Sequence, residues 1–264
     1  MVSRPQFRNC AGVDYDTPRI DTAGRFESTW YGSVRRTEDS NPTEYDLRGE
    51  PIPAASELIV HIHGWQNDVP CGIDCIQLAG GAYDDAGRDA VVTGLTWDSD
   101  CAWWSAKEIA DRTAPKLAAF LRDYKRDNPD TTIRLQGHSL GARVLCETLV
   151  DLDESDDHGT VTSALFFAGA VIDTGVAESG RYGTAIERTV AHAENYWNEN
   201  DPVLKYAFRT YEWSWAIGNR GCNGQPPANY TDHDVSDAID AHWDEEYLDG
   251  EFLSDHVLPT FPDR

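Results

Sequence analysis

The sequence predicts an α/β domain with a mainly parallel central sheet and helices on both of its faces. Short, continuous apolar segments are typical of central parallel strands, and "ELIVHIHG" (57–64) is the clearest of them. Such segments alternate with helical stretches at least four times after residue 57, an order that implies right-handed crossover connections. A chain of 264 residues can bury one core of this kind, so we expect a single domain.

The predicted elements follow one another along the chain from residue 25. Residues 1–24 are polar and rich in turn formers, so we expect an N-terminal surface arm and then one domain over residues 25–264. Two alternating segments, 25–34 and 43–49, predict an opening pair of strands. Buried or half-buried strands are predicted next, at 57–64, 91–99, 131–137, 162–170, 188–197 and 228–236. Helices are predicted before about residue 89, at 103–127, directly after Ser139, from about residue 202 and from about residue 243.

The charge composition is unusual. The chain has 46 acidic and 22 basic residues, a formal net charge of −24, and few of its basic residues are lysines. Such self-repulsion opposes folding in dilute buffer and is screened at 1 M ionic strength, where the Debye length is about 3 Å. The acids are spread along the chain, which favours adaptation to concentrated salt over a patch that binds metal ions or a basic partner. We expect no nucleic-acid partner, because no basic stripe is present to meet phosphates.

The chain carries no sign of a membrane segment, and its cysteines leave the compartment open. No apolar run approaches the length of about 18 residues that predicts a transmembrane helix, and the N-terminus lacks the apolar core of an export signal. We therefore expect a soluble protein, either in a high-salt cytoplasm or exported with its signal removed. Cys146 lies on the apolar face of a predicted helix and is expected to be a buried thiol. One or two disulfides are predicted among the other cysteines, and a zinc site from Cys71, Cys75 and Cys101 is the weaker alternative.

The segment Gly137-His138-Ser139-Leu140-Gly141 joins a predicted strand to a predicted helix. A serine with a glycine two residues away on either side is the pattern of a nucleophile elbow, in which strand and helix pass closely. The helix N-terminus then faces the oxyanion that forms when the serine attacks a carbonyl. The alternative is an ordinary strand–turn–helix connection. The position of Ser139 favours the nucleophile, because chemistry in open parallel sheets collects at the carboxyl ends of strands.

These motifs carry a family resemblance. "GHSLGA" after an apolar strand, with "HIHGW" ending an earlier strand, resembles the α/β-hydrolase superfamily, especially its lipases and esterases. The stretch from Leu95 to Val144 is similar to a haloarchaeal branch of that superfamily. The resemblance covers about residues 57–250 and implies that Ser139 is the nucleophile. It also implies an oxyanion hole formed by the backbone N–H groups of Trp65 and Leu140, supported by His63, Gly64 and the glycines of the elbow, Gly137 and Gly141.

The superfamily's chain order of nucleophile, acid and histidine narrows the remaining candidates. Asp201 and Asp173 both follow predicted strands, and Asp201 is favoured because most of the superfamily places its acid after the later strand. Asp201 also precedes Pro202, so capping a helix is an alternative role for it. The histidine must follow the acid. His242, on a loop beyond the last predicted strand, is favoured over His233 within that strand, and His256 ranks third.

Aromatic and acidic residues near the predicted strand ends have structural as well as functional interpretations. Trp103, Trp104 and Trp197 could line a pocket for an acyl or aryl group, although packing is the commoner role of such residues. Asp98 and Asp100 in "TWDSD" could bind a metal ion, but we expect them to cap the following helix. No cofactor and no metal ion are expected in the mechanism.

The leading functional hypothesis is a salt-adapted serine hydrolase that cleaves a small-molecule or lipid-like carboxylic ester through an acyl-enzyme. The sequence does not separate carboxylesterase, lipase, polyester depolymerase and thioesterase, and it leaves the oligomeric state open. One alternative is acyl transfer to an acceptor other than water. Another is a non-catalytic binding protein on the same fold.

Overall fold

The computed structural model of the protein describes Cys10 and residues 12–28, 34–36 and 41–261. Within these ranges the chain forms an eight-stranded sheet and a separate two-stranded one. The strands are β1 (Arg19–Asp21), β2 (Phe26–Ser28), β3 (Val34–Arg36), β4 (Asp46–Arg48), β5 (Glu57–Ile62), β6 (Val91–Thr96), β7 (Thr132–His138), β8 (Ser163–Phe167), β9 (His192–Trp197) and β10 (Tyr230–Asp234). The order across the large sheet is β10-β9-β8-β7-β5-β6-β1-β4, and β4 alone runs antiparallel to its described neighbour.

Helices connect these strands. The α-helices are α1 (Val69–Asp85), α2 (Trp103–Asp127), α3 (Gly141–Glu154), α4 (Gly183–Thr189), α5 (Arg209–Glu212), α6 (Ile217–Arg220), α7 (Asp244–Tyr247) and α8 (Gly250–Phe252). Wider π-helical turns span Val203–Phe208 and Leu253–Val257, and a 3₁₀ turn spans Leu258–Thr260. No helix in the described ranges is long and apolar enough to cross a membrane.

The register of the sheet shows how the helices cover both faces. His61 of β5 aligns with Gly94 of β6, and the next residue, Ile62, aligns with Gly137 of β7, so these two glycines lie on opposite faces. A Cβ on Gly94 would meet the side chain of Ile76 in α1, whereas one on Gly137 would meet the backbone of α3. Helices α1 and α3 therefore pack on opposite faces. The predicted fold class is confirmed, and its central strand β5 is buried along its whole length.

The beginning of the chain differs from the prediction. Residues 19–21, placed in the surface arm, form β1 and extend the main sheet beside β6, with Ile20 fully buried. Within their described residues, the segments 25–34 and 43–49 do not pair with each other: β2 pairs with β3, and β4 pairs with β1. Part of the first segment, 29–33, lies outside the described residues, as does most of 1–11. Alternation predicted the strands, but strand pairing depends on contacts far apart in the chain.

One disulfide joins Cys10 to Cys71, and the other four cysteines form no disulfide within the described residues: Cys75, Cys101, Cys146 and Cys222. The disulfide overturns the zinc site considered from Cys71, Cys75 and Cys101, because a disulfide sulfur is not a thiolate ligand. Cys146 is fully buried, as predicted, and burial raises the pKa of its thiol well above the usual range.

Candidate active site

Ser139 lies at the joint between β7 and α3 in a left-handed backbone conformation, with φ of +52°. Few non-glycine residues adopt this region, and strain of this kind concentrates at functional sites. The joint is held by the bond from the Ser139 N–H to the Phe167 carbonyl, at 3.0 Å, and by that from the Ala170 N–H to the Ser139 carbonyl, at 2.8 Å. The flanking glycines allow helix α3 to pass close to the backbone of the neighbouring strands. A Cβ on Gly141 would lie 2.1 Å from the Ile62 carbonyl oxygen, and one on Gly137 would lie 2.8 Å from the Ala142 Cα.

Three side chains form a continuous hydrogen-bonded chain at this end of the sheet. His242 Nε2 lies 2.8 Å from Ser139 Oγ, and His242 Nδ1 lies 2.6 Å from Asp201 Oδ2. All three residues are buried, with Ser139 7% exposed and Asp201 fully enclosed. Since a carboxylate only accepts, Nδ1 carries the proton and Nε2 faces the hydroxyl as a base. The structure thus brings together the serine, acid and histidine favoured from the sequence.

Asp201 has a second role in the fold. Its Oδ1 accepts hydrogen bonds from the backbone N–H groups of Val203 and Leu204, at 2.8 and 2.9 Å, while Oδ2 is bonded to His242. The capping role considered from the sequence therefore coexists with the contact to the histidine. Asn219 positions the preceding turn, because its Nδ2 donates to the carbonyls of Asn198 and Glu199 at 3.0 and 3.1 Å.

The other candidates lie in different surroundings. Asp173 is buried, but the carboxylate bonded to His242 is that of Asp201. His233 on β10 has its own acidic partner, Glu194 on β9, with Nε2 and Oε2 2.7 Å apart. His256 packs on the Phe252 ring, with the ring centroids 5.0 Å apart.

The loop after β5 approaches the serine closely. A Cβ on Gly64 would lie 2.8 Å from Ser139 Cβ, so the backbone of Gly64 lies against the side chain of Ser139. Among the described residues, the backbone N–H groups of Trp65 and Leu140 donate to no protein acceptor. Leu140 directly precedes α3, where unpaired N–H groups and the helix dipole favour negative charge.

His63 braces this loop. Its Nδ1 lies 3.0 Å from the Gly64 carbonyl, its Nε2 accepts from the Trp97 N–H at 3.3 Å, and its ring stacks on Trp97. The ring is fully buried, and burial lowers its pKa to about 4, so His63 is neutral at ordinary pH. Gly72 of α1 leaves room for it, since a Cβ there would lie 2.8 Å from the ring.

An aromatic cluster adjoins the same loop. Trp65 meets Trp103 edge to face at 5.2 Å between ring centroids, and Tyr211 stacks on Trp103 and contacts Trp65. The indole of Trp103 also donates to Glu212 at 2.6 Å. By contrast, Trp104 is 55% exposed and its ring faces Lys107 Nζ.

Trp197 ends β9 and is partly buried, and its carbonyl accepts from the Val235 N–H at 2.9 Å. A substrate-binding role for Trp103, Trp104 and Trp197 stays a prediction.

Among the described residues no side chain caps α2, so the expectation fails for Asp100 as well as for Asp98. The two carboxylate oxygens of Asp98 accept from the backbone N–H groups of Gly24 and Phe26, at 2.7 and 3.1 Å, so it holds the turn that leads into β2. The residue preceding α2 is Ala102, which has no side chain able to cap it. The expectation failed because the capping pattern is local, whereas the partners of Asp98 lie more than 70 residues away along the chain.

Sequence reasoning missed one neighbour of the site, His138. Its Nε2 lies 2.7 Å from the His242 carbonyl oxygen, and its Nδ1 lies 3.1 Å from Asp244 Oδ1. Burial lowers the pKa of this imidazole to about 4. Its place inside the GHSLG segment gave no indication of these contacts, because they bridge more than 100 residues.

The parallel sheet with helices on both faces and a serine elbow after its central strands define an α/β hydrolase. The chain belongs to the family described as alpha/beta hydrolase of unknown function (DUF900), whose model matches residues 46–207. No curated protein matches the sequence.

Several solved structures are similar to this chain at low sequence identity. A protein of Lactobacillus plantarum WCFS1, described as a candidate cell surface hydrolase, is 11% identical with a TM-score of 0.48, covering 80% of this chain and 94% of its own. An esterase of Pyrobaculum calidifontis is 13% identical with a TM-score of 0.41, over 79% and 76% of the two chains. Est1E of Butyrivibrio proteoclasticus, solved with ferulic acid, is 13% identical with a TM-score of 0.45, over 78% and 90%.

Proposed function

We propose that the protein is a serine hydrolase that cleaves carboxylic esters, with Ser139 as nucleophile, His242 as general base and Asp201 as its acidic partner. The observation that carries the proposal is the unbroken chain from Ser139 Oγ through both His242 nitrogens to Asp201, with links of 2.8 and 2.6 Å. Separations of this length allow direct proton transfer. Family membership supports hydrolysis, and the site supports the ester chemistry.

The proposed reaction begins when Ser139 Oγ attacks the ester carbonyl and passes its proton to His242 Nε2. Asp201 stabilises the imidazolium through the Nδ1–H bond. The carbonyl oxygen becomes an oxyanion that accepts from the backbone N–H groups of Trp65 and Leu140. The tetrahedral intermediate collapses, the carbon–oxygen bond to the alcohol breaks, and His242 returns the proton to the departing alkoxide. Water, activated by His242, then attacks the acyl-enzyme and releases the acid.

The direct test is hydrolysis of p-nitrophenyl esters from acetate to palmitate in molar salt. Ser139→Ala should lower kcat/KM by about 10⁴-fold or more. Ser105→Ala is a matched control, because Ser105 is an equally buried serine in α2, and its activity should equal that of the wild type. Equal activity of Ser139→Ala and wild type would refute the proposal. The chain length with the highest kcat/KM would define the acyl pocket.

Two rival functions have distinct signatures. A fluorophosphonate should label wild-type protein and leave Ser139→Ala unlabelled, because only an activated serine attacks phosphorus readily. Absence of labelling in folded wild-type protein would favour the non-catalytic alternative. Acyl transfer would be recognised by ester products that form in the presence of added alcohols at the expense of free acid.

We further propose that the surface is adapted to concentrated salt, on the evidence of the net charge of −24. Mutual repulsion of the carboxylates should destabilise the fold when the ionic strength falls from molar to millimolar. Melting temperature and esterase activity should therefore both rise with KCl concentration. A melting temperature that stays constant over this range would contradict the adaptation.

A further inference from the structure

A second group of polar side chains lies behind the catalytic histidine. It consists of His61 on β5, Cys75 on α1 and Asp244, the first residue of α7. His61 and Cys75 are fully enclosed, and Asp244 is 7% exposed. One ligand atom from each residue, namely an imidazole nitrogen, the thiol sulfur and a carboxylate oxygen, lies within 4.8 Å of the other two.

The donor types fit a tetrahedral metal ion, and each oxygen of the Asp244 carboxylate lies near one of the other two ligands. Asp244 Oδ1 lies 3.5 Å from His61 Nε2, and Asp244 Oδ2 lies 3.6 Å from Cys75 Sγ. Zinc binds nitrogen, oxygen and thiolate sulfur at about 2.0–2.3 Å, which places neighbouring ligands of a tetrahedron about 3.3–3.8 Å apart. Imidazole, thiolate and carboxylate are also the three ligand classes that Zn²⁺ takes from proteins.

The surroundings of His61 provide a second, independent indication. Its Nε2 is buried and has no hydrogen-bond partner among the described residues, and the 3.5 Å separation from Asp244 is too long for an ordinary hydrogen bond. Its other nitrogen, Nδ1, lies 3.0 Å from the Gln136 side-chain amide, which is also bonded to the Tyr83 hydroxyl. A half turn of that amide lets it accept from Nδ1–H, so that Nε2 offers its lone pair to a metal ion.

We propose that His61, Cys75 and Asp244 bind a divalent metal ion, with Zn²⁺ preferred, and that water completes the tetrahedron. Binding displaces the thiol proton of Cys75 to solvent, and no electron is transferred. The ion acts structurally, outside the ester chemistry, by joining β5 and α1 to the segment that carries His242. Asp244 is two residues from His242 and also contacts His138, whose other nitrogen is bonded to the His242 carbonyl. The metal site thereby fixes the histidine's backbone.

The test measures bound metal directly and does not depend on catalysis. Wild-type protein is treated with a chelator in molar salt, reloaded with Zn²⁺ or Co²⁺, desalted and analysed by mass spectrometry of the metal. We expect about one ion per chain, a thiolate-to-Co²⁺ charge-transfer band in the near ultraviolet, and a higher melting temperature with Zn²⁺. Wild-type protein that stays folded and takes up neither metal would overturn the proposal.

Matched variants separate this site from metal held loosely by the acidic surface. Cys75→Ser should lose the bound ion, the charge-transfer band and the thermal gain, and Asp244→Asn should lose the ion and the thermal gain. Cys146→Ser should keep the ion, the band and the thermal gain, because Cys146 is an equally buried cysteine that lies in α3, outside this group. If Cys75→Ser does not fold, Asp244→Asn still decides, because it leaves every thiol in place and should nevertheless lose the bound ion. Metal content that is equal in Cys75→Ser and wild type would refute the site and assign the group to a hydrogen-bonded network.

Discussion

The two ends of the central sheet bury charged groups in different ways. At the amino ends of the strands, Glu57 of β5 receives two bonds from Arg88, at 2.7 and 2.8 Å, and one from Arg134 of β7 at 2.6 Å. Arg134 continues to Ser163 Oγ at 2.6 Å and lies over the Phe261 ring. At the carboxyl ends, the Asp201 carboxylate accepts hydrogen bonds from the His242 imidazole and from the backbone N–H groups of Val203 and Leu204.

The difference separates stability from chemistry. At the amino ends, the negative charge of Glu57 is paired with the positive charges of Arg88 and Arg134. Removing one partner of such a pair leaves an unpaired charge in the protein interior, which is strongly destabilising. At the carboxyl ends, the Asp201 carboxylate is bonded to the imidazole that faces Ser139 Oγ, and within the described residues the backbone N–H groups of Trp65 and Leu140 donate to no protein acceptor. Substitutions at the first end should therefore lower stability, and those at the second should lower activity.

The largest expected effect is that of Asp201→Asn on turnover. The Asn oxygen can still accept from Val203 and Leu204, so the fold should persist, but its NH₂ would face His242 Nδ1 and favour the wrong tautomer. We expect kcat for p-nitrophenyl esters to fall by about 10⁴-fold with little change in melting temperature. Asp173→Asn, also at a buried aspartate, should keep wild-type activity. Equal losses in both variants would assign the effect to packing.

Glu57→Gln should have the opposite profile. It leaves Arg134, 1% exposed, without its countercharge, and breaking a buried pair costs about 3–5 kcal/mol of unfolding free energy. Urea denaturation in molar salt measures this loss, while the activity of the folded fraction should be unchanged. Glu108→Gln, in the more exposed pair with Arg112, should cost less than about 1 kcal/mol. A loss of turnover in folded Glu57→Gln would contradict the proposal that the amino ends of the strands contribute to stability and not to activity.

The Glu57 carboxylate should also make the free energy of unfolding decrease at acid pH. Burial raises the pKa of Glu57, but the hydrogen bonds from Arg88 and Arg134 outweigh it and lower the pKa to about 2 from 4.5. A carboxyl group whose pKa is depressed in the folded state stabilises the protein above its unfolded pKa. Its contribution, on the order of 3 kcal/mol, is lost as the pH falls from about 4.5 to 2. Unfolding free energies measured over this range should fall less steeply in Glu57→Gln, and parallel curves would contradict the assignment.

The smallest expected effect concerns the glycine at the start of α3. Gly141→Ala would place a Cβ 2.1 Å from the Ile62 carbonyl oxygen, so β5 and α3 must separate, at a cost of about 1–3 kcal/mol. Turnover should also decrease, because Ser139 moves with the helix. Gly80→Ala is the control: outside its own helical turns, its Cβ would meet no atom of the described residues within 4 Å, and the change should stabilise α1 by up to about 1 kcal/mol. Equal thermal stability of the two variants would show that α3 and β5 have room for a side chain at Gly141.

Local patterns accounted for most of the central sheet. The apolar runs predicted β5 through β9, and amphipathic spacing predicted α2 at its observed limits. They failed where a partner is remote: β1 joined the sheet beside β6, and Asp98 bound the turn before β2. Neither contact has a local signature, because strand pairing and side-chain partners depend on how the crossovers bring distant segments together.

The sequence by itself determined the fold class and the place of Ser139, because hydrophobic periodicity and glycine spacing act over a few residues. It also ranked Asp201 and His242 first, through a resemblance and not through geometry. Only the tertiary structure brought them within hydrogen-bond distance, across 41 and 103 residues of chain, and gave His233 a different acidic partner. It alone brought His61, Cys75 and Asp244 together, since these residues lie on β5, α1 and α7 and meet only when the sheet and its helices are assembled.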